Sequence, residues 1–328
     1  MMLIVTGANG FIGSALVWDL NQRGREDILC VDHISPKEEA DRPLPYLKYQ
    51  AFCKPEEVKN YLETHAEKVD AIFHMGACSS TTETNEDYLR ENNTEYTKVM
   101  WNLAIQHGCP FIYASSAAIY GDGQHGFDDK TPTSTYTPLN LYGWSKHWFD
   151  EWASQQSLQP KSWYGLRFFN VYGPNEYHKQ NMASVVFKAF LQIKDTGKLK
   201  LFKSHNSKYE DGKQLRDFVY VKDVTRWMIE LFESNYAENG IYNMGYGVCR
   251  TWLELAENVF KSMNIPTNIE WIDIPENIRN QYQYFTEAKM NKWEDQGLSA
   301  PQWSLESGIK DYLSNYLMTD SRHMRTPS

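Results

Sequence analysis

The sequence predicts an α/β protein, a doubly wound parallel sheet carrying a smaller mixed α/β lobe. Three observations lead there. A strand, a glycine turn and a helix follow one another over residues 3–13; short apolar runs then alternate with helical spacing to about residue 174; and the composition shifts beyond Gly173-Pro174. Strands that alternate with helices are joined by crossovers, which make the sheet parallel and cover both its faces.

Taken in order, Leu3, Ile4 and Val5 form a buried strand that Thr6 and Gly7 end in a tight turn. Ile12, Leu16 and Leu20, with Val17 beside them, recur at helical spacing. The first N–H groups of such a helix, and the positive end of its dipole, point at whatever sits over the turn. Gly7 permits the turn, Gly10 lets backbone approach a pyrophosphate and Gly13 lets helix pack on strand, in a Gly-x-x-Gly-x-x-Gly spacing. Residues 28–31 form a second strand ending at Asp32, where a carboxylate would meet an adenosine ribose or simply cap a turn. This is the arrangement of a Rossmann-type nucleotide site.

Residues 54–66 read as a helix and 71–74 as a third strand, followed by Gly76-Ala77-Cys78-Ser79-Ser80. Those small residues suit either a cofactor lying on backbone or an ordinary loop. Residues 88–107 read as a helix with Asn92 and Asn93 near its start and Val99, Leu103 and Ala104 on its buried side. A strand at 111–114 stops at Ser115-Ser116, and a polar loop over 121–140 leads into a helix from Leu141 that carries Tyr142 and Lys146 on one face. A strand at 163–168 then runs to Asn170-Val171-Tyr172-Gly173-Pro174. Ligands bind beyond the carboxyl ends of parallel strands, where Gly7, Asp32, Gly76 and Ser116 all fall.

Beyond the Gly-Pro break, residues 183–191 form a helix with Lys188 along it, 204–214 a loop and 216–221 a strand, with Asp223 capping a helix over 224–232. Residues 241–244 return to the main sheet, and Thr251-x-x-Glu254 is a capping box. A strand at 268–272, helices at 287–296 and 305–317, and a disordered tail over 319–328 complete the chain. The expected division is a nucleotide-binding domain at 1–174, rejoined by 217–247, and a substrate lobe from 175–216 and 248–318.

A formal charge of −9 over 328 residues, with no basic stripe, argues against nucleic-acid or anionic-membrane partners. There is no basic segment before Arg23 and no run near the ~18 apolar residues of a membrane helix, so the expected location is cytoplasmic. Five cysteines without a C-x-x-C pair fit reduced thiols, and the histidines show no metal-ligand spacing on a helix.

A phenol with a resting pKa near ~10 needs help to exchange a proton at neutral pH. In Tyr142-x-x-x-Lys146 a lysine one turn away can stabilise the phenolate and hold a nicotinamide ribose, and Ser116 can hydrogen-bond a substrate oxygen. In isolation the pair reads first as a solvated helix face, and its place after a Rossmann half and a Ser-Ser strand end reverses that. Gly7-x-x-Gly10-x-x-Gly13, Ser116, Tyr142-x-x-x-Lys146 and Arg216-Asp217-Phe218-Val219-Tyr220-Val221-x-Asp223-Val224 together resemble the extended short-chain dehydrogenase/reductases that modify nucleotide sugars. His74-Met75-Gly76-Ala77-Cys78-Ser79-Ser80-Thr81-Thr82-Glu83, Phe169-Asn170-Val171-Tyr172-Gly173-Pro174 and His178-Lys179-x-x-Met182-Ala183-Ser184-Val185 resemble the ADP-L-glycero-D-manno-heptose 6-epimerase branch of that family.

That resemblance implies epimerisation at C6 of an ADP-heptose, for lipopolysaccharide inner-core heptose, by transient oxidation with no net redox change. Protons are then handled from two sides, by Tyr142 and by Lys179, with Lys146 supporting the tyrosine and Ser116 the substrate. It further implies cofactor contacts from Phe11, Ile12, His33, Lys54, Met75, Gly76, Ala77, Cys78, Ser79, Asn92, Val171, Lys146 and Lys179, beside the glycines and Asp32. Substrate contacts are implied for Asn170, Asn181, Lys188, Phe202, Lys203, Ser204, His205, Arg216 and Tyr282, Arg216 suiting a diphosphate. The chain departs from the family at Asn181 (a serine there), at Lys188 (a histidine), in the 202–205 stretch and in a longer loop before Arg216. The cofactor implied is NADP, although the charge of Asp32 favours NAD; Lys54 would offset a 2′-phosphate, with a less defined role for Lys37. A homo-oligomer is implied, a pentamer in family members. Ala117-Ala118 lack the acid pair of a 4,6-dehydratase; a UDP-sugar 4-epimerase and a non-catalytic redox-sensing Rossmann protein remain as alternatives.

Overall fold

The computed structural model describes residues 1–36, 41–65, 68–234, 236–279 and 282–326; Lys37 lies outside them. The first half runs β1 (Met2–Thr6), α1 (Phe11–Gln22), β2 (Ile28–Val31), β3 (Ala51–Cys53), α2 (Val58–His65), β4 (Val69–His74), α3 (Glu86–Leu89), α4 (Tyr96–His107), β5 (Phe111–Ser116), α5 (Leu141–Ser154) and β6 (Trp163–Phe168). The second runs β7 (Asn170–Tyr172), α6 (Val185–Thr196), β8 (Leu199–Phe202), β9 (Leu215–Arg216), β10 (Phe218–Tyr220), α7 (Val221–Glu233), β11 (Gly240–Met244), β12 (Arg250–Thr251), α8 (Trp252–Ser262), β13 (Ile269–Ile272), α9 (Glu276–Arg279), α10 (Asn291–Asp295) and α11 (Leu305–Tyr312).

Seven strands make one sheet in the order β3-β2-β1-β4-β5-β6-β11, and each neighbouring pair is parallel. β1, β2 and β4 are apolar on both faces because helices cover both: α1 and α7 pack on one side, and α4 and α5 close around Trp101 and Phe149 on the other. A second core gathers α6, α8 and α11 around Phe190, Phe260 and Tyr312. Short pairs β7-β10, β9-β12 and β8-β13 tie this lobe together, and β11 returns to the main sheet beside β6.

Several details differ from the sequence reading. The strand foreseen over 216–221 breaks at Asp217, whose buried carboxylate accepts from Tyr246 N (2.6 Å), Gly247 N (3.0 Å) and Ala288 N (2.9 Å). Asp223 does not cap α7. It lies within the first turn and accepts from Gln302 N (3.0 Å) and Trp303 N (2.9 Å), so it anchors another loop instead. Val99 is 55% exposed, although Leu103 and Ala104 on the same helix are buried as expected. Residues 319–326, expected to be disordered, lie against the fold: Met324 is 1% exposed and its N–H donates to Asn175 Oδ1 at 3.0 Å. The tail docks through buried Met324 and His323, with Arg322 and Arg325 lying over Tyr177 and Tyr46.

Candidate active site

The glycine turn is built for close approach. Gly7 sits at φ +63°, where a side chain is strained, and a Cβ there would lie 2.7 Å from Gly76 N. A Cβ on Gly13 would fall 2.1 Å from Gly7 O. Gly10 caps α1 without a side-chain hydrogen bond, so the first N–H groups of the helix remain available to an anion. Behind the turn, Gly76 N–H donates to Thr6 Oγ1 (3.0 Å), the Thr6 hydroxyl faces His74 Nδ1 (2.7 Å), His74 Nε2 faces Thr97 Oγ1 (3.0 Å) and Thr97 donates to Asn93 O (2.7 Å). Along this chain only the Nε2–H tautomer of His74 satisfies both hydroxyls, and burial lowers its pKa to about 3, keeping it neutral. Two loops that must both touch a cofactor are thereby locked together. The glycine cradle and the free helix end fit a dinucleotide pyrophosphate.

Asp32 serves as turn anchor and cleft residue at once. Its Oδ2 accepts from Asn9 N (3.0 Å) and its Oδ1 from Ile34 N (3.2 Å), while burial pushes its pKa up. His33 and Arg42 line the cleft beside it, and the Arg42 guanidinium reaches Asn9 O at 3.4 Å.

Past β5, Ser116 accepts from Ala118 N (3.1 Å) and hydrogen-bonds the Tyr142 phenol. Asn140 caps α5 through Gly143 N (2.8 Å), which places Tyr142 in the first turn and Lys146 one turn on. The Lys146 ammonium donates to Ala114 O (2.9 Å), and burial lowers its pKa to about 8. Burial raises Tyr142, against which the Ser116 hydrogen bond works. Asn93 clamps the 76–80 loop to α5: its amide pairs with Cys78 N (2.8 Å) and Cys78 O (2.9 Å) and donates to Ser145 Oγ (2.9 Å).

Under Lys146, Asp150 and Arg167 form an ion pair at 3.1 Å with both side chains fully buried. Tyr113 (2.9 Å) and Ser115 (2.8 Å) donate to the same carboxylate, and Arg167 donates to Thr133 Oγ1 (2.7 Å). This network fixes α5 against β5, β6 and the 121–140 loop. Removing one member would strand a buried charge at a cost of about 3–5 kcal/mol.

Lys179 comes from beyond β7, in a 3-10 stretch at Tyr177–Met182 that kinks at Gln180 (φ 48°). Its ammonium sits 5.7 Å from the Phe11 ring centre, burial lowers its pKa and buried Glu176 opposes that shift. Glu176 accepts from Ser184 N (2.5 Å) and Ser184 Oγ (2.7 Å), which holds the turn to the start of α6. Arg216, 8% exposed, lies between Trp252 and Tyr282, 5.6 and 5.3 Å from their ring centres, and donates to Gln283 O. Tyr142, Lys146, Ser116, Lys179, Arg216 and the glycine turn all line one cleft of about 1360 Å³.

The model of the NAD dependent epimerase/dehydratase family matches residues 3–245. The chain belongs to this family. It is 45% identical over 334 residues to an ADP-L-glycero-D-manno-heptose-6-epimerase of Fusobacterium nucleatum, covering 98% of this chain and 100% of the relative. An enzyme of the same name from Nitratidesulfovibrio vulgaris (strain Hildenborough) is 45% identical over 327 residues, at 98% and 100% coverage. Among solved structures, the Helicobacter pylori ADP-L-glycero-D-manno-heptose-6-epimerase superposes with a TM-score of 0.80 at 27% identity, covering 96% of this chain and 95% of that one. A Thermotoga maritima UDP-glucose 4-epimerase, at a TM-score of 0.76 and 23% identity over 95% and 97% of the two chains, shares the fold.

In this epimerase/dehydratase the cleft also takes in Phe11, Ile12, His33, Met75, Ala77, Cys78, Ser79, Asn92, Asn170, Val171, Asn181, Lys188 and Tyr282. Lys54 is not brought to it: the residue is exposed at the start of a 3-10 turn, where its N–H donates to Glu57 Oε2 (2.7 Å). Phe202, Lys203, Ser204 and His205 also fall outside the lining. Phe202 packs edge-on against Tyr282 (6.1 Å), Ser204 N donates to Asp211 (2.7 Å), and Lys203 and His205 face Asp273 (3.8 and 3.6 Å). Sequence reasoning passed over Arg42, Asp150 and Arg167. Asp150 was within reach, being one turn beyond Lys146 on the same helix face.

Lys146 gives this family member a testable conflict between stability and activity. Its pKa falls from 10.5 to about 8 on folding, so its charge opposes folding below about pH 8, and the opposition disappears above pH 10.5. Lys146→Met is therefore expected to stabilise the cofactor-free protein at pH 7 by about 1–3 kcal/mol while turnover falls. Tm measured at pH 7 and again near pH 10.5 should show the gain shrinking as pH rises.

Proposed function

We propose that this chain interconverts ADP-D-glycero-D-manno-heptose and ADP-L-glycero-D-manno-heptose at C6, by transient oxidation with bound NADP, for the inner-core heptose of lipopolysaccharide. The observation that carries this reading is the arrival of Tyr142 and Lys179 in one cleft from separate elements, each with its own support. A bound nicotinamide supplies a reversible hydride acceptor. The protein's part is proton traffic and orientation. Tyr142 exchanges the proton of the sugar oxygen with Ser116 hydrogen-bonding the same group, Lys179 does so when the opposite face is presented, and Lys146 holds the nicotinamide ribose. Arg216 has the charge and planarity for the diphosphate.

For the cofactor's 2′-phosphate the cleft offers Arg42, which supports NADP, while Asp32, whose oxygens each accept one backbone N–H and keep a lone pair for a ribose 2′-OH, would suit NAD. The nucleotide released by denaturing fresh protein, identified by mass, decides that point. No helix among the described residues is long and apolar enough to cross a membrane, and a cytoplasmic homo-oligomer, a pentamer as in family members, accords with this reading. Incubation with ADP-D-glycero-D-manno-heptose and, separately, UDP-glucose, with products resolved by NMR, tests the substrate. The L-glycero epimer is expected from the first, and turnover of the UDP-sugar alone would reject the reading.

A further inference from the structure

Two loops that border the cleft come from distant parts of the chain. One spans residues 41–46 and contributes Arg42; the other spans 175–182 and contributes His178 and Lys179. The C-terminal segment lies across both. Arg322 (2.8 Å) and His323 (3.2 Å) engage the Asp41 carboxylate. The His323 ring, 5% exposed, stacks on Tyr46 (5.1 Å between centres) and meets Tyr177 edge-on (5.2 Å). Tyr177 donates to Arg322 O, and Met324 N donates to Asn175 Oδ1 (3.0 Å). The Arg325 guanidinium covers Tyr46 at 4.3 Å.

The same segment reaches the phosphate-binding helix. Trp18 of α1 donates to Arg325 O (3.2 Å), and fully buried Asn175 donates to Ser14 Oγ (3.0 Å) in the first turn of α1. Five residues thus tie the Arg42 loop and the Lys179 turn to α1 at Trp18, and Asn175, which the strap holds through Met324 N, links that turn on to the start of α1.

We propose that residues 322–326 are a strap that positions the Arg42 loop and the Lys179 turn over the cleft, so that strap docking and dinucleotide binding are coupled, with His323 as the central positioning residue. None of the five residues lines the cleft; the strap acts through Asp41, Tyr46, Asn175 and Tyr177. Coupling is reciprocal, so a docked strap tightens dinucleotide binding by the same factor by which the dinucleotide holds the strap down. A short end segment with one buried methionine and one buried histidine opens at far lower cost than the sheet, which leaves room for the ligand to act on it.

The inference rests on dinucleotide binding but on no particular sugar. In the intact protein, hydrogen exchange at the amides of 322–326 is expected to slow by about tenfold on saturation with NADP. A variant lacking 322–328 should bind NADP about tenfold more weakly and lose turnover at saturating cofactor; His323→Ala should shift both in the same direction, and it replaces the deletion should that variant not fold. Unchanged exchange on NADP addition, or cofactor affinity and kcat within twofold of the intact chain despite a lowered Tm, would overturn the strap. If the intact protein bound neither NADP nor NAD, the proposed function would itself fail, a result distinguishable from bound cofactor with an indifferent strap.

Discussion

Tyr142→Phe is expected to lower kcat by roughly 10²–10⁴-fold, the usual worth of a positioned proton-transfer group, while dinucleotide affinity stays within a few-fold. The substitution removes one oxygen and keeps the ring. Tyr142 hydrogen-bonds Ser116, and it stands in the first turn of α5 under the Asn140 cap, so the backbone has no reason to move. Stability should change by only about 1 kcal/mol, the net worth of one hydrogen bond. Lys146 would keep its bond to Ala114 O and remain available to a ribose. Steady-state turnover with cofactor titration in parallel checks this. A kcat within tenfold of wild type would remove Tyr142 from the chemistry.

Lys179→Met should give a comparable loss of turnover, and Lys179→Arg should not restore it. Burial lowers the Lys179 pKa, which makes proton exchange near neutral pH easier than for an exposed lysine. A guanidinium stays protonated throughout that range, so it keeps the charge but cannot take and return a proton. An intact fold with arginine failing to rescue would separate proton handling from mere charge. Rescue by arginine to within tenfold of wild type would reduce Lys179 to an electrostatic contact. The Tyr177–Met182 turn should survive the methionine, because Glu176 is held through Ser184 and Gly173 N–H whether or not Lys179 is present.

Local chemistry made the first half of the site readable. A glycine that must adopt positive φ, a helix start without a side-chain cap and a tyrosine one turn before a lysine leave marks within a dozen residues of sequence. The sheet followed from the alternation of apolar strands and helices, and β11 could be assigned to it because 241–244 is apolar at the right length. What stayed hidden depends on long-range geometry. Arg42 sits in a loop with no periodicity and reaches Asn9 only because Asn9 donates to Ile34 O and accepts from Leu44 N. Phe202 to His205 have the right residue types, yet Phe202 ends β8, which pairs with β13, and Lys203 to His205 follow it past the cleft. Lys54 follows the buried Cys53 and is exposed, although its neighbours Pro55 and Glu56 line the cleft. The tail looked polar enough to be free, and it docks through contacts some 150 to 300 positions away in the chain.

In the proposed reaction Tyr142 and Lys179 serve opposite faces of one sugar carbon. A crystal structure of the complex with NADP and ADP-heptose tests it most directly. C6 is expected between the two groups, with the Tyr142 hydroxyl and the Lys179 ammonium each within about 3 Å of the sugar's C6 oxygen in one of its two presentations. A bound sugar whose C6 meets Tyr142 while Lys179 stands clear of either face would contradict it.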